Sequence, residues 1–241
     1  MLYWLLKFVL LGPLLRVWCR PTIEGLEHVP ERGGAILASN HMAVADSFFL
    51  PLMVPRRIAF LAKREYFIQP GLVGWLKKQF FTGVGQVPID RGSGSAARLA
   101  LDTGVRLLRE QWLVGIYPEG TRSPDGRLYK GKTGAARMAL EARVPVIPVA
   151  MIGTHKVNPI GSKMWRPHKV HIKIGEPLHF SRYYGMENDR FILRSMTDEI
   201  MYTLMELSGQ EYVDVYAARV KEDAARAARK PLAAVPDTKA S

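Results

Sequence analysis

LVGIYPEG (113–120), KTGAARMALEA (132–142) and VPVIPVAMIG (144–153) follow one another in a single stretch of the chain. The first and last pieces are apolar, rich in β-branched residues and bounded by Gly and Pro. They predict strands buried on both faces. The middle piece repeats its apolar residues at helical spacing and predicts a helix. Strand, helix and strand in this order make the repeating unit of an α/β fold.

The same alternation continues outward. GAILASN (34–40), RIAFLAK (57–63), GQVPID (85–90) and VHIKIG (170–175) read as further strands. Residues 93–110 read as a helix, with Ser93 or Ser95 as its cap and Ala97, Leu101, Val105 and Leu108 on one face. The expected architecture is a mixed, mostly parallel sheet flanked by helices. The two prolines of VPVIPV suit an edge strand or a bulge. An apolar stripe from Phe191 to Leu207 predicts a helix over 188–208. Residues 211–230 predict an Ala- and charge-rich helix stopped by Pro231, and the tail LAAVPDTKAS is expected to be disordered. The expected division is an apolar N-terminal helix (1–20), a main domain (21–210) and a C-terminal helix with its tail (211–241).

The N-terminal run LYWLLKFVLLGPLLRVW (2–18) is strongly apolar but short, and Lys7, Gly12, Pro13 and Arg16 interrupt it. A spanning helix needs about 20 mostly apolar residues. A signal peptide needs small residues at a cleavage site, and Trp18-Cys19-Arg20-Pro21 offers none. Two readings remain. One is a helix lying at a membrane interface, with Trp4 and Trp18 at headgroup depth and Lys7 and Arg16 snorkelling. The other is a helix packed on the core of its own domain.

The chain has 241 residues, 34 Lys and Arg against 22 Asp and Glu, and one cysteine, Cys19. The single cysteine excludes a disulfide framework and a cysteine-rich metal site. The net charge of +12 asks for a polyanionic partner. Residues 56–91 hold a net +5 and residues 122–137 a net +4, so two short windows carry nine of the twelve charges. No recognition helix, zinc spacing or aromatic RNA-binding signature accompanies them, so nucleic acid is not the expected partner.

Chemistry concentrates beside these windows. Asn40-His41 ends one predicted strand, and Asp46 follows five residues after His41. On one straight helix that spacing would hold the two side chains about 140° apart. They meet only if His41 lies in the turn before a helix and Asp46 in its first turn. Asp46 then binds Nδ1–H of His41 and leaves Nε2 as a base. A surface histidine next to an unrelated N-terminal acid is the bland alternative. Tyr117-Pro118-Glu119-Gly120-Thr121-Arg122-Ser123 follows another strand, where Gly120 lets a ligand approach and Arg122 offers a fork to phosphate. Ser-Pro-Asp-Gly at 123–126 is also a strong turn sequence. Asp90-Arg91-Gly92 places Arg91 beside the start of the 93–110 helix.

N-H-x-x-x-x-D (40–46), I-D-R (89–91), P-E-G-T-R-S (118–123) and V-P-V-I-P-V (144–149), in this order and with Lys63-Arg64-Glu65 between the first two, resemble the glycerophospholipid acyltransferase family. The resemblance covers about residues 20–180. It implies transfer of an acyl group from a thioester of coenzyme A or acyl carrier protein to the free hydroxyl of 1-acyl-glycerol-3-phosphate. Glycerol-3-phosphate or another lysophospholipid is the alternative acceptor, and a non-catalytic basic membrane or nucleic-acid binder the remote one. His41 is then the general base oriented by Asp46, and attack is direct, with no acyl-enzyme. Lys63, Arg91, Glu119, Gly120, Thr121 and Arg122 form the implied phosphate site. No metal or cofactor is implied.

Pro88 and Tyr117 depart from the family pattern, where aromatic residues and phenylalanine are common, and neither is expected to touch the chemistry. Phe48, Phe49 and Leu52 are candidates for an acyl slot, with ordinary core packing as the alternative. The stretch from Tyr66 to Phe81, with Lys77 and Lys78, joins the N-terminal run as a candidate membrane footprint, again with ordinary core packing as the alternative. The expected location is peripheral or monotopic, on the cytoplasmic face of the cell membrane.

Overall fold

The computed structural model describes residues 2–63, 67–83, 85–89, 94–162 and 164–229. The tail expected to be disordered lies outside them. The chain begins with α1 (Leu2–Leu5), which passes through a π-helical turn (Leu6–Leu10) into α2 (Leu11–Cys19). There follow β1 (Thr22–Glu24), β2 (Ala35–Ser39), α3 (Asp46–Met53), β3 (Ile58–Lys63), α4 (Gly71–Gly83), β4 (Gln86–Ile89), α5 (Gly94–Arg109) and β5 (Leu113–Ile116). Then come β6 (Leu128–Tyr129), α6 (Gly134–Ala142), β7 (Val146–Ile152), α7 (Thr154–Val157), β8 (His171–Ile174), α8 (Arg190–Ser208), β9 (Tyr212–Val213) and α9 (Ala217–Arg229).

Seven strands form one sheet in the order β1-β8-β7-β2-β5-β3-β4. The five from β7 to β4 run parallel. β8 lies antiparallel to β7, and β1 follows the direction of β8. β2 is buried along its whole length, as its unbroken apolar run requires. One sheet face packs Ala35, Leu37, Phe60 and Leu113 against α3 and, through Leu15 and Cys19, against α2. The other packs Ile36, Ala38 and Val114 against α5, α6 and α8. The helix that follows β2 and the helix that follows β5 therefore cover opposite faces. Neighbouring strands with that property open a crevice at their carboxyl ends.

β7 is an interior strand, so of the edge and the bulge that its prolines suit, the edge is excluded. Pro148 C=O accepts from Gly175, one residue beyond the end of β8. Its missing N–H faces the same side, at the irregular step between the regular β7–β8 pairs and the Val146–Leu178 bridge.

The expected boundary at 210 is also crossed. β9 pairs in parallel with β6, which belongs to the main domain. Two of the residues expected in the last helix are thus strand. Asp189 caps α8 by accepting from the Phe191 and Ile192 N–H groups, and Gly209, at φ +68°, turns the chain back toward β6.

At the N-terminus one side of the helix packs on the core of the domain and the other is exposed. Leu15 and Cys19 are core, whereas Trp4, Phe8, Val9, Leu14 and Val17 are exposed. Lys7 does not snorkel. It is buried, donates to the Val54 carbonyl and has the rings of Tyr3, Trp4 and Phe8 within 5.5–5.8 Å. Burial pulls its ammonium down to about 8. Pro13 has no N–H to donate, and the wider π turn ahead of it brings the Lys7 carbonyl where a Cβ on residue 12 would sit, so Gly12 alone fits. Among the described residues no helix is long and apolar enough to cross a membrane.

Candidate active site

His41 follows the carboxyl end of β2, and Asp46 is the first residue of α3. This is the arrangement that their spacing required. His41 Nδ1 lies 2.9 Å from Asp46 Oδ2. The same oxygen accepts from the Met42 and Ala43 N–H groups at 2.7 and 2.9 Å. Three donors around one oxygen fix the orientation of the Asp46 carboxylate and the Nδ1–H tautomer of His41. The His41 side chain is 17% exposed and Asp46 is fully buried. Nε2 has no protein partner among the described residues.

The backbone of His41 is held as firmly as its ring. Its N–H donates to Glu119 Oε1 at 3.1 Å, and its C=O accepts from the Ser123 N–H at 2.7 Å. The preceding Asn40 side chain bonds both the N–H and the C=O of Met151 at the end of β7. Glu119 also accepts from the Tyr129 N–H at 3.0 Å. It is only 1% exposed. Its two oxygens face backbone amides, so it sits behind the expected phosphate site and ties β6 to His41. Burial pushes its carboxyl up to about 7, against the two N–H bonds that favour the charge.

Tyr117 is the correction. Its ring stacks on the His41 ring with centroids 3.8 Å apart and planes 9° from parallel. Its hydroxyl bonds Ser47 Oγ at 2.8 Å, one residue after Asp46. Burial and the Asp46 charge hold the phenol well above its usual range, so it stays neutral. The residue expected to be remote therefore forms one wall of the dyad.

Exposed Gly120 and half-buried Thr121 and Arg122 follow a turn in which the Gly120 N–H bonds the Tyr117 carbonyl at 2.9 Å. Gly120 has φ +73°, and a Cβ there would meet the Lys132 side chain at 3.0–3.2 Å. Lys221, from α9, donates to Thr121 Oγ1 at 2.9 Å and to the Arg122 carbonyl. The turn predicted at 123–126 is also present, closed by the Gly126 N–H on Ser123 Oγ at 2.9 Å. Among the described residues the Arg122 guanidinium has no hydrogen-bond or carboxylate partner.

Lys63 ends β3 at the same end of the sheet, in register with Ile89. Its side chain, and the whole of Arg91, lie outside the described residues. Phe49 is fully buried in the core, which removes it from the acyl slot. Phe48 and Leu52 line a narrow groove between α3 and the N-terminal helices, with Leu6, Leu11 and Leu15 opposite.

Asn40, Tyr117, Lys132, Gln210 and Lys221 are the residues that sequence reading left without a role. Gln210 accepts from Asn40 Nδ2 at 2.6 Å and donates to the Gly126 carbonyl at 2.6 Å. Only Asn40 and Tyr117 had a sequence signal, since they adjoin the motifs.

A family model described as Acyltransferase matches residues 20–152. The chain is 30% identical to the 1-acyl-sn-glycerophosphate (LPA) acyltransferase PlsC of Thermotoga maritima, whose crystal structure superposes with a TM-score of 0.63 over 86% of this chain and 79% of that one. It is 29% identical over 186 residues to the 1-acyl-sn-glycerol-3-phosphate acyltransferase of Bacillus subtilis, covering 76% of this chain and 86% of that protein. The enzyme of the same name from Limnanthes alba is 35% identical over 158 residues, 65% of this chain and 54% of its own length. The chain thus spans about half the length of several relatives that it matches.

Proposed function

The chain belongs to the acyltransferase family, and from that premise we propose that it acylates the free hydroxyl of 1-acyl-glycerol-3-phosphate, using an acyl thioester of coenzyme A or acyl carrier protein and giving phosphatidic acid. The observation that carries the reading is the His41–Asp46 dyad at the crevice between β2 and β5, beside a turn whose cations lack carboxylate partners. The acceptor class comes from the names of the relatives.

In this reaction His41 Nε2 takes the proton of the acceptor hydroxyl while Asp46 holds Nδ1–H. The hydroxyl oxygen bonds to the thioester carbonyl carbon, the carbon–sulfur bond breaks, and the proton on His41 goes to the leaving thiolate. A positioned base of this kind contributes about 10²–10⁴-fold. Arg122 holds the acceptor phosphate, with Gly120 and Thr121 shaping the approach; Lys63, which ends β3 at the same end of the sheet, and Arg91 remain proposed partners. Phe48 and Leu52 line the groove proposed for the acyl chain.

A lipid acceptor must be met at a bilayer. α1 and α2 expose apolar side chains, and α1 neighbours α4, which exposes Leu72, Val73, Trp75 and Leu76. This continuous face, with Lys78 beside it, is the proposed contact with an anionic membrane surface.

The test is turnover by purified protein with both donors and with lysophosphatidate, glycerol-3-phosphate and other lysolipids side by side. His41→Ala is expected to lose about 10²–10⁴-fold in kcat while still binding vesicles. No preference for lysophosphatidate would refute the acceptor, and undiminished turnover by the variant would refute the base.

A further inference from the structure

The cations at the 120–122 turn come from three separate parts of the chain. Arg122 belongs to the turn itself. Lys132 precedes α6, and its Nζ would lie 3.2 Å from a Cβ on Gly120. Lys221 comes from α9, beyond the 20–152 span that the family model matches.

α9 is not placed there by chance contact. The arm leading to it is pinned by β9 on β6, by the Lys130–Asp214 ion pair at 2.9 Å and by the Gln210 bonds to Asn40 and Gly126. Ala217 is fully buried at the start of α9, and Lys221 lies one turn further along the same face. Its ammonium reaches Thr121 Oγ1 and the Arg122 carbonyl. An ammonium has three N–H bonds, and these two contacts leave one for an anion.

No carboxylate on the described residues forms an ion pair with this cluster, and Glu119 offsets only part of the Lys221 charge from a distance. Asp125 is taken by Arg127 and Tyr129. Glu119 is turned toward backbone amides. Burial disfavours the Lys221 ammonium most, repulsion from Arg122 adds to that cost, and Glu119 returns part of it. A dianion recovers what the like charges lose.

We propose that Lys221 of α9 completes a phosphate-monoester site with Arg122 and Lys132 on the 120–122 turn. It presents one N–H to the phosphate and uses the other two to hold the turn. The reading rests on the acyltransferase assignment for the identity of the ligand, which is either the headgroup of the acceptor or the 3′-phosphate of a coenzyme A donor. Both are phosphate monoesters.

The experiment compares wild type, Lys221→Met and Lys221→Arg. Lys221→Met is expected to raise one KM by about tenfold, equivalent to about 1.4 kcal/mol, with a much smaller change in kcat. A rise in the lysophosphatidate KM identifies the headgroup, and a rise in the acyl-CoA KM identifies the donor phosphate. Lys221→Arg is expected to recover most of the loss. Calorimetry with glycerol 3-phosphate and with inorganic phosphate, which needs no turnover, is expected to show the same weakening. Wild type that binds these anions without acylating lysophosphatidate would overturn the function and leave the site standing. Equal anion binding and equal KM values in wild type and Lys221→Met would overturn the site, as would a loss confined to kcat or to thermal stability.

Discussion

Glu119→Gln keeps the shape of the side chain and removes its charge. In the folded chain burial lifts this carboxyl from 4.5 to about 7. The unfolded chain releases the proton near 4.5, so between these pH values the fold holds a proton that the unfolded chain has lost. The stability contributed by this group is complete below pH 4.5 and is lost as pH rises through about 7. At about 1.4 kcal/mol per pH unit, the loss comes to about 3 kcal/mol. Glutamine does not ionise and carries no such slope. The variant is therefore expected to match wild type at about pH 5 and to exceed it by up to about 3 kcal/mol at about pH 8.

Activity moves the other way. The carboxylate accepts from both the His41 and the Tyr129 N–H groups. A glutamine amide has one oxygen and cannot serve both. His41 loses an anchor, and a displacement of about 1 Å at a reacting group costs on the order of 10²-fold. The expected fall in kcat is about 10–100-fold. Urea unfolding at the two pH values and turnover at the higher one measure both effects. Parallel pH–stability curves for the two proteins would refute the assigned cost of the charge. Full kcat in the variant would refute the claim that the charge positions His41.

Tyr117→Leu removes the stack on His41, worth about 0.5–1.5 kcal/mol, and is expected to lower kcat up to about tenfold. Tyr117→Phe keeps the stack, and is expected to hold kcat while losing about 0.5–1.5 kcal/mol of stability at Ser47. Equal kcat in the two variants would deny the ring its role. Phe8→Glu combined with Trp75→Glu is expected to cut partition onto anionic vesicles by more than about tenfold, since each ring is worth about 1.5–3 kcal/mol when buried. Its melting temperature is expected to stay near wild type because both side chains are exposed. Unchanged vesicle pelleting would place the membrane contact elsewhere.

Local pattern carried the sheet and the dyad. The strand runs at 34–40, 57–63, 85–90, 113–120, 144–153 and 170–175 each contain an observed strand, because apolar runs buried on both faces leave no other reading. His41 and Asp46 were legible because five residues leave only one way for the two side chains to meet. What failed was long-range. Whether the prolines of β7 meant an edge or an irregular ladder depends on strand order, and strand order is a property of the whole chain. Tyr117 was dismissed because its neighbour, His41, stands 76 residues earlier in the sequence and beside it in space. Phe49 was assigned to an acyl slot because an apolar residue on a helix shows the same pattern facing a core as facing a ligand. Gln210 and Lys221 carry no motif, and only the pairing of β9 with β6 explains their position.

The contact of Gln210 with Asn40 sets an order of events during synthesis. The segment that holds the base is translated near the start of the chain, and the residues that brace it come about 170 to 180 positions later. At roughly 5–20 residues per second, ribosomal elongation separates them by about 10–40 s. Throughout that interval the nascent chain has its apolar N-terminal surface but lacks the arm that steadies His41 and the phosphate turn. A polypeptide still on the ribosome thus carries the face proposed for membrane contact well before it has the arm that braces His41.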